Sequence, residues 1–176
     1  MRTPTPVSRS AHGAIALLLA AASGALQATD TIETRNAAAG LVITHGMFVD
    51  ATLGDRCGAL PAPDGPNARA AQAGWQRRNA EPFLVGSLWI KALGDTVAAR
   101  LGDAAGVQFH EQRKAEFGGA VARMQQALFA HGQVTQTDCA RITDAVNAGT
   151  FDVARNPGVA ETFRRMGAEH LQRRAD

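Results

Sequence analysis

Few residues in this chain could do covalent or acid–base chemistry, and their spacing argues against the common sites. A serine hydrolase presents its nucleophile on a strained G-x-S-x-G turn. Ser87 is the one serine beyond residue 28, yet Gly86-Ser87 lies in an apolar helical run and lacks the following glycine. Ser87 reads as a packing residue. His110-Glu111 opens the H-E-x-x-H pattern of a helical zinc site, but Lys114 stands where the second histidine belongs, so a cation replaces a ligand. The remaining histidines also have structural readings. His45 sits among apolar residues as a hydrogen-bonded core or boundary side chain, His131 follows a helix C-terminus, and His170 ends an apolar stripe. Phosphate-cradling glycine loops do not occur, and acidic residues such as Glu81, Asp95, Glu111 and Glu116 are spread singly on polar faces rather than paired. These observations predict a protein that is not an enzyme and uses no metal or cofactor. An enzyme whose site is assembled without a local signature, from residues such as His45 and His110, is the third-ranked reading.

Two further groups carry the remaining chemical interest. Cys57 and Cys139 are the only cysteines, and in an oxidising compartment such a pair is joined. The bond closes a loop of roughly 80 residues, which the chain-entropy picture values at about 4.5 kcal/mol at most. A redox-active or metal-binding pair is the alternative, but it lacks C-x-x-C spacing. Trp75, Arg77, Arg78 and Asn79 precede Pro82, with Trp89 beyond it. Trp and Arg are enriched at binding hot spots, and a proline-broken helix could present them to a partner protein. The competing reading has both tryptophans filling the core while the arginines face solvent.

The chain opens with features of an export signal. Arg2 and Arg9 precede an apolar run from Ala14 to Leu26, and small residues follow at Ser23, Gly24, Ala25 and Ala28. The expectation is a secretory signal over 1–25, cleaved after Ala25 or Ala28, then one domain over 29–172 and a frayed tail over 173–176. The alternative is an uncleaved anchor. The run of about 13 residues falls short of the roughly 20 that span a bilayer, so no stable membrane insertion is expected after cleavage. Removing the signal takes away two arginines, leaving 16 of the 18 basic residues against 16 acidic ones. A formally neutral chain gives no reason to expect nucleic acid as a partner. The implied location is the periplasm of a Gram-negative bacterium, or the medium outside it.

These groups must be positioned by helices. Tyrosine is absent, aromatic residues are few, alanine is abundant, and no segment alternates like a strand. Apolar residues recur at helical steps from about Thr31 to Leu53. Gly54 to Pro66 reads as an irregular loop, and Asn67 as the N-cap of a helix that Pro82 breaks or kinks. An apolar stripe resumes over Val85, Trp89, Leu93, Val97 and Leu101, and a further helix spans about 103–130, with Gly118-Gly119 marking a close crossing or a flexible joint. Thr135 and Asp138 resemble a capping box, Gly149 a helix stop, and Asn156-Pro157 the start of a last helix. The predicted fold is all-α, a single bundle-like or orthogonal domain of five or six helices closed by one disulfide. The expected function is binding of another envelope or secreted protein, as an inhibitor, an immunity-type protector or an accessory subunit. The alternative is a carrier or sensor of a small apolar ligand held near Met124 or Met166.

Overall fold

A computed structural model describes residues 30–129 and 134–175, with side chains as far as Gln172. The expected signal segment and His131 lie outside the described residues. Six α-helices and no strands occur among the described residues: α1 Ile32–Val49, α2 Asp64–Arg78, α3 Ala80–Leu101, α4 Asp103–Leu128, α5 Gln136–Asn147 and α6 Pro157–Ala175.

Helix α1 is the hub. Ala38, Ala39, Val42, Ile43, Gly46, Phe48 and Val49 are buried, so it is apolar around most of its circumference, as a core helix must be. It packs against α3, α4 and α6, while α2 packs on α5. Close approach is built into α1: a Cβ at Gly46 would collide with the Phe83 ring, and one at Gly86 would meet Val42 and the backbone of Ala39. The helical stretch Ile32–Ala59 is long and apolar enough by composition to cross a membrane. Its burial against other helices accounts for that apolarity.

Four boundaries differ from the sequence reading, two of them for one reason. The stretch expected to be loop from Gly54 is helical: a π-helical segment Asp50–Arg56 and a 3-10 turn Cys57–Ala59 continue α1, and α2 already begins at Asp64. Asn67 is therefore not a cap, since its N–H donates to the Pro63 carbonyl at 3.1 Å inside the first turn. Pro66 is the third residue of α2 and Pro82 the third of α3. A proline needs no hydrogen-bonded N–H in a first turn, but its ring clashes with the carbonyl four residues back in a helix interior. The bend thus falls ahead of the proline, at Asn79 (φ −112°, ψ 13°), and gives two helices. Helix α4 stops at Leu128, with Phe129 as its C-cap.

Helices α3 and α4 form a hairpin that turns on the single residue Gly102, at φ +93°. The two helices touch where side chains are smallest, with the His110 ring over Gly94 and Gly106 against Ala98. Gly118-Gly119, expected at a close crossing, faces open space at Gly118 and only the Arg123 side chain at Gly119. Toward the C-terminus the capping box at Thr135 and Asp138 is present, Gly149 (φ +75°) stands just past the end of α5, and the Asn156 carboxamide accepts from the Val159 N–H at 3.2 Å above Pro157. Cys57 and Cys139 are joined, with Cα atoms 5.5 Å apart, tying the end of the α1 extension to α5.

Candidate functional site

The residues that sequence composition marked for partner binding are placed at the junction of α2, α3 and the turn between α5 and α6. Trp75 is buried, and its indole Nε1 donates to the Phe151 carbonyl at 3.1 Å. Asn79 is only 1% exposed. Its amide nitrogen donates to the Trp75 carbonyl at 3.0 Å and to Asp152 Oδ1 at 2.9 Å, while its oxygen accepts from the Val153 N–H at 2.9 Å. Arg78 donates from Nε to Asp152 Oδ2 at 2.6 Å and from Nη2 to the Val146 carbonyl at 2.7 Å. Three of the four residues thus hold the 146–153 segment against the end of α2. Arg77 is exposed, with no hydrogen bond or ion pair among the described residues.

His45 reaches the same turn from α1. Its Nδ1 lies 3.1 Å from the Phe151 carbonyl, and because that carbonyl can only accept, Nδ1 carries the proton. The ring also meets the Phe151 ring edge-on at 5.4 Å between centroids. Burial pushes the His45 imidazole below its ordinary pKa, against the weaker opposing effects of the Phe151 hydrogen bond and the Asp152 charge.

A groove runs along the seam between α3 and α6, with Val85 common to its two halves. The larger half encloses about 510 Å³ over a floor of Val85, Leu88, Trp89, Ala92 and Met166. Arg35, Lys91, Asp95, Glu169 and His170 stand around its edge. The smaller half, about 320 Å³, continues past Phe163, Ala160 and Pro82 to Arg78 and Arg164.

Internal bonds hold the larger half in shape. Arg35 grips two carboxylates at once: Nε and Nη2 donate to Asp30 at 2.7 and 2.5 Å, and Nη1 and Nη2 to Glu169 at 2.7 and 2.5 Å. This pairing raises the Arg35 pKa and lowers that of Asp30. The guanidinium also sits 5.4 Å above the Trp89 ring, whose Nε1 donates to the Asn36 side chain at 2.7 Å. Trp89 is therefore held at both its face and its edge. Composition singled out Trp89, but Arg35 and Met166 join it only because α1 and α6 flank α3, a tertiary fact with no local signature.

Among the described residues no group of three or more His, Cys, Asp and Glu side chains could hold a metal ion. Ser87 Oγ donates to the Phe83 carbonyl one turn back, at 2.8 Å. Compared with protein-family models, with curated proteins and with solved structures, the chain matches none.

Proposed function

We propose that this chain is an exported, non-enzymatic helical protein that acts by binding another envelope or secreted protein, as an inhibitor, protector or accessory subunit. The observation that carries the reading is the α3–α6 groove, whose apolar floor of Val85, Leu88, Trp89 and Met166 lies open between charged edges of both signs. Such a trough suits the apolar face of an amphipathic helix, with the edges meeting its polar flanks. Preorganisation supports it further, since a Trp89 ring already fixed by Arg35 and Asn36 loses little freedom on binding. The joined cysteines support the export half of the proposal, because such bonds persist in oxidising compartments. Arg77, exposed beside the clasped turn, is the one member of the sequence-marked cluster still free to contact a partner.

The test is site-specific photo-crosslinking in the native host, with the crosslinker placed at Leu88 in the groove or at Gln108 on the exposed side of α4. A single companion captured at Leu88, absent at Gln108 and lost in Leu88→Glu while the melting temperature holds, is the expected result. Equal capture at both positions overturns the groove as the binding surface.

One observation favours a second reading. A volume of about 510 Å³ falls within the range of roughly 300–1,000 Å³ typical of small-ligand sites. Carriage of a small apolar molecule predicts a rise in melting temperature with extracted lipids, removed by Leu88→Glu, and no protein captured at Leu88.

A further inference from the structure

The turn that links α5 to α6 is held from three directions, and one of its holders is an imidazole that acid can protonate. From α1, His45 donates to the Phe151 carbonyl; from α2, Trp75 donates to that same oxygen; from the α2–α3 junction, Asn79 grips both Asp152 and Val153. The Phe151 ring is wedged between the His45 ring and Phe48, at 5.4 and 5.3 Å. Helix α6, one wall of the groove, starts only a few residues beyond, at Pro157.

We propose that the 149–153 turn is an acid-sensitive latch keyed by His45, closed when the imidazole is neutral and loosened when it is protonated. The sense follows from what each state offers a charged ring. Closed, the ring is largely removed from water, and its Nδ1–H is already committed to a carbonyl. Open, a second proton on Nε2 is hydrated at no such cost, so acid favours the open state. The charged groups around the ring do not reverse this. Asp152 attracts a positive imidazole, but the Arg78 guanidinium already occupies it at 2.6 Å. Arg155, on the far side of the turn, is engaged with the Ala148 carbonyl. From α3 the neighbouring contact at Gly46 is the apolar Phe83, with Glu81 exposed to solvent, and on α1 itself Asp50 accepts from Gln72 and Gln76.

The consequence for partner binding rests on the groove reading: loosening the turn frees the start of α6 and lets the groove wall move. The latch itself does not depend on that reading, so it is tested without a partner. Hydrogen exchange is followed in the oxidised full-length mature protein at neutral and mildly acidic pH, corrected for intrinsic exchange chemistry, over the 148–155 peptide with α1 as control. The expected result is a rise of about threefold or more in opening of 148–155 under acid, with α1 protection unchanged. His45→Asn, which keeps a neutral donor near the Nδ1 position, should abolish the acid response. In case that variant fails to fold, nuclear magnetic resonance of the unmodified protein supplies a second readout. The Trp75 Nε1–H resonance should shift with the same midpoint as the His45 ring. Acid-independent exchange at 148–155, an acid response retained in His45→Asn, or a Trp75 resonance that ignores the His45 titration overturns the latch. A working latch with acid-insensitive crosslinking at Leu88 overturns only the coupling of the turn to the groove, and equal capture at Leu88 and Gln108 overturns the groove itself.

Discussion

Replacing Asn79 by alanine removes a carboxamide that touches three backbone or side-chain partners while only 1% exposed. The loss can be worked from those contacts. Two donated bonds go, to the Trp75 carbonyl and to Asp152, each worth about 1 kcal/mol net. The Val153 N–H, which donated to Asn79 Oδ1 at 2.9 Å, is left buried with no acceptor, costing about 1–3 kcal/mol more. Arg78 still satisfies Asp152, which keeps the total near the lower end, at about 3 kcal/mol. For a helical domain of this size that corresponds to a melting temperature lower by about 10 °C, read by circular dichroism, with the urea midpoint moving in parallel and its slope unchanged. Asn79→Asp sharpens the test: it keeps an acceptor for Val153 but sets a second carboxylate against Asp152, so its cost should shrink in acid where the alanine variant's does not. A loss under about 1 kcal/mol for Asn79→Ala, within the range of ordinary surface substitutions, would refute the clasp.

Arg77→Ala should change stability by less than about 0.5 kcal/mol, whereas Arg78→Ala should lose about 1–2 kcal/mol through Asp152 and Val146, both read in thermal melts. Gly102→Ala places a Cβ at φ +93°, a conformation costing about 1–3 kcal/mol outside glycine, and the loss should appear as faster hydrogen exchange confined to the α3–α4 hairpin. Cys57 and Cys139 are 0% and 1% exposed, so dithiothreitol should leave the folded protein oxidised; reduction in denaturant should then lower refolded stability by at most about 4.5 kcal/mol, read as the free-thiol count and urea midpoint. Because the folded His45 pKa lies below its ordinary 6.5, the folded state binds that proton less readily than the unfolded chain does. Stability from this group is therefore full above 6.5 and falls as pH drops below it, a slope that urea titrations should find missing in His45→Asn.

Much of the fold was legible because helices announce themselves locally. The capping box at Thr135, the positive-φ stop at Gly149, the Asn156-Pro157 start and the pairing of the only two cysteines all lie within short stretches whose chemistry has few alternatives. The stretch misread as loop, 54–66, has a different cause. Gly58, Pro61, Pro63, Gly65 and Pro66 look like loop by composition, yet tertiary contact makes most of that stretch regular. Arg69 donates to the Gly58 carbonyl, and a Cβ at Gly65 would collide with the Leu60 carbonyl oxygen. Glycine there serves packing, which a one-dimensional reading scores as flexibility. Gly118-Gly119 is the converse case, a pair that looked like a crossing but meets no neighbouring helix, with open space at Gly118 and only the Arg123 side chain at Gly119.

The site was legible in a narrower sense. Trp, Arg and Asn clustered before a proline are the residue types of a binding hot spot, but they are equally the types needed to fasten a turn across a domain, because both tasks ask for large side chains with directional donors. What separates the two is whether the acceptors belong to the same chain, and for Trp75, Arg78 and Asn79 they do: Phe151, Val146 and Asp152 lie about 70 residues away in sequence. The groove was hidden for a related reason. Its floor comes from α3 and α6 and its anchoring cation from α1, so each residue in isolation has an ordinary helical role. Only Arg35, holding Asp30 and Glu169 while covering Trp89, converts those separate faces into one preformed surface, and that arrangement exists only once all three helices have packed.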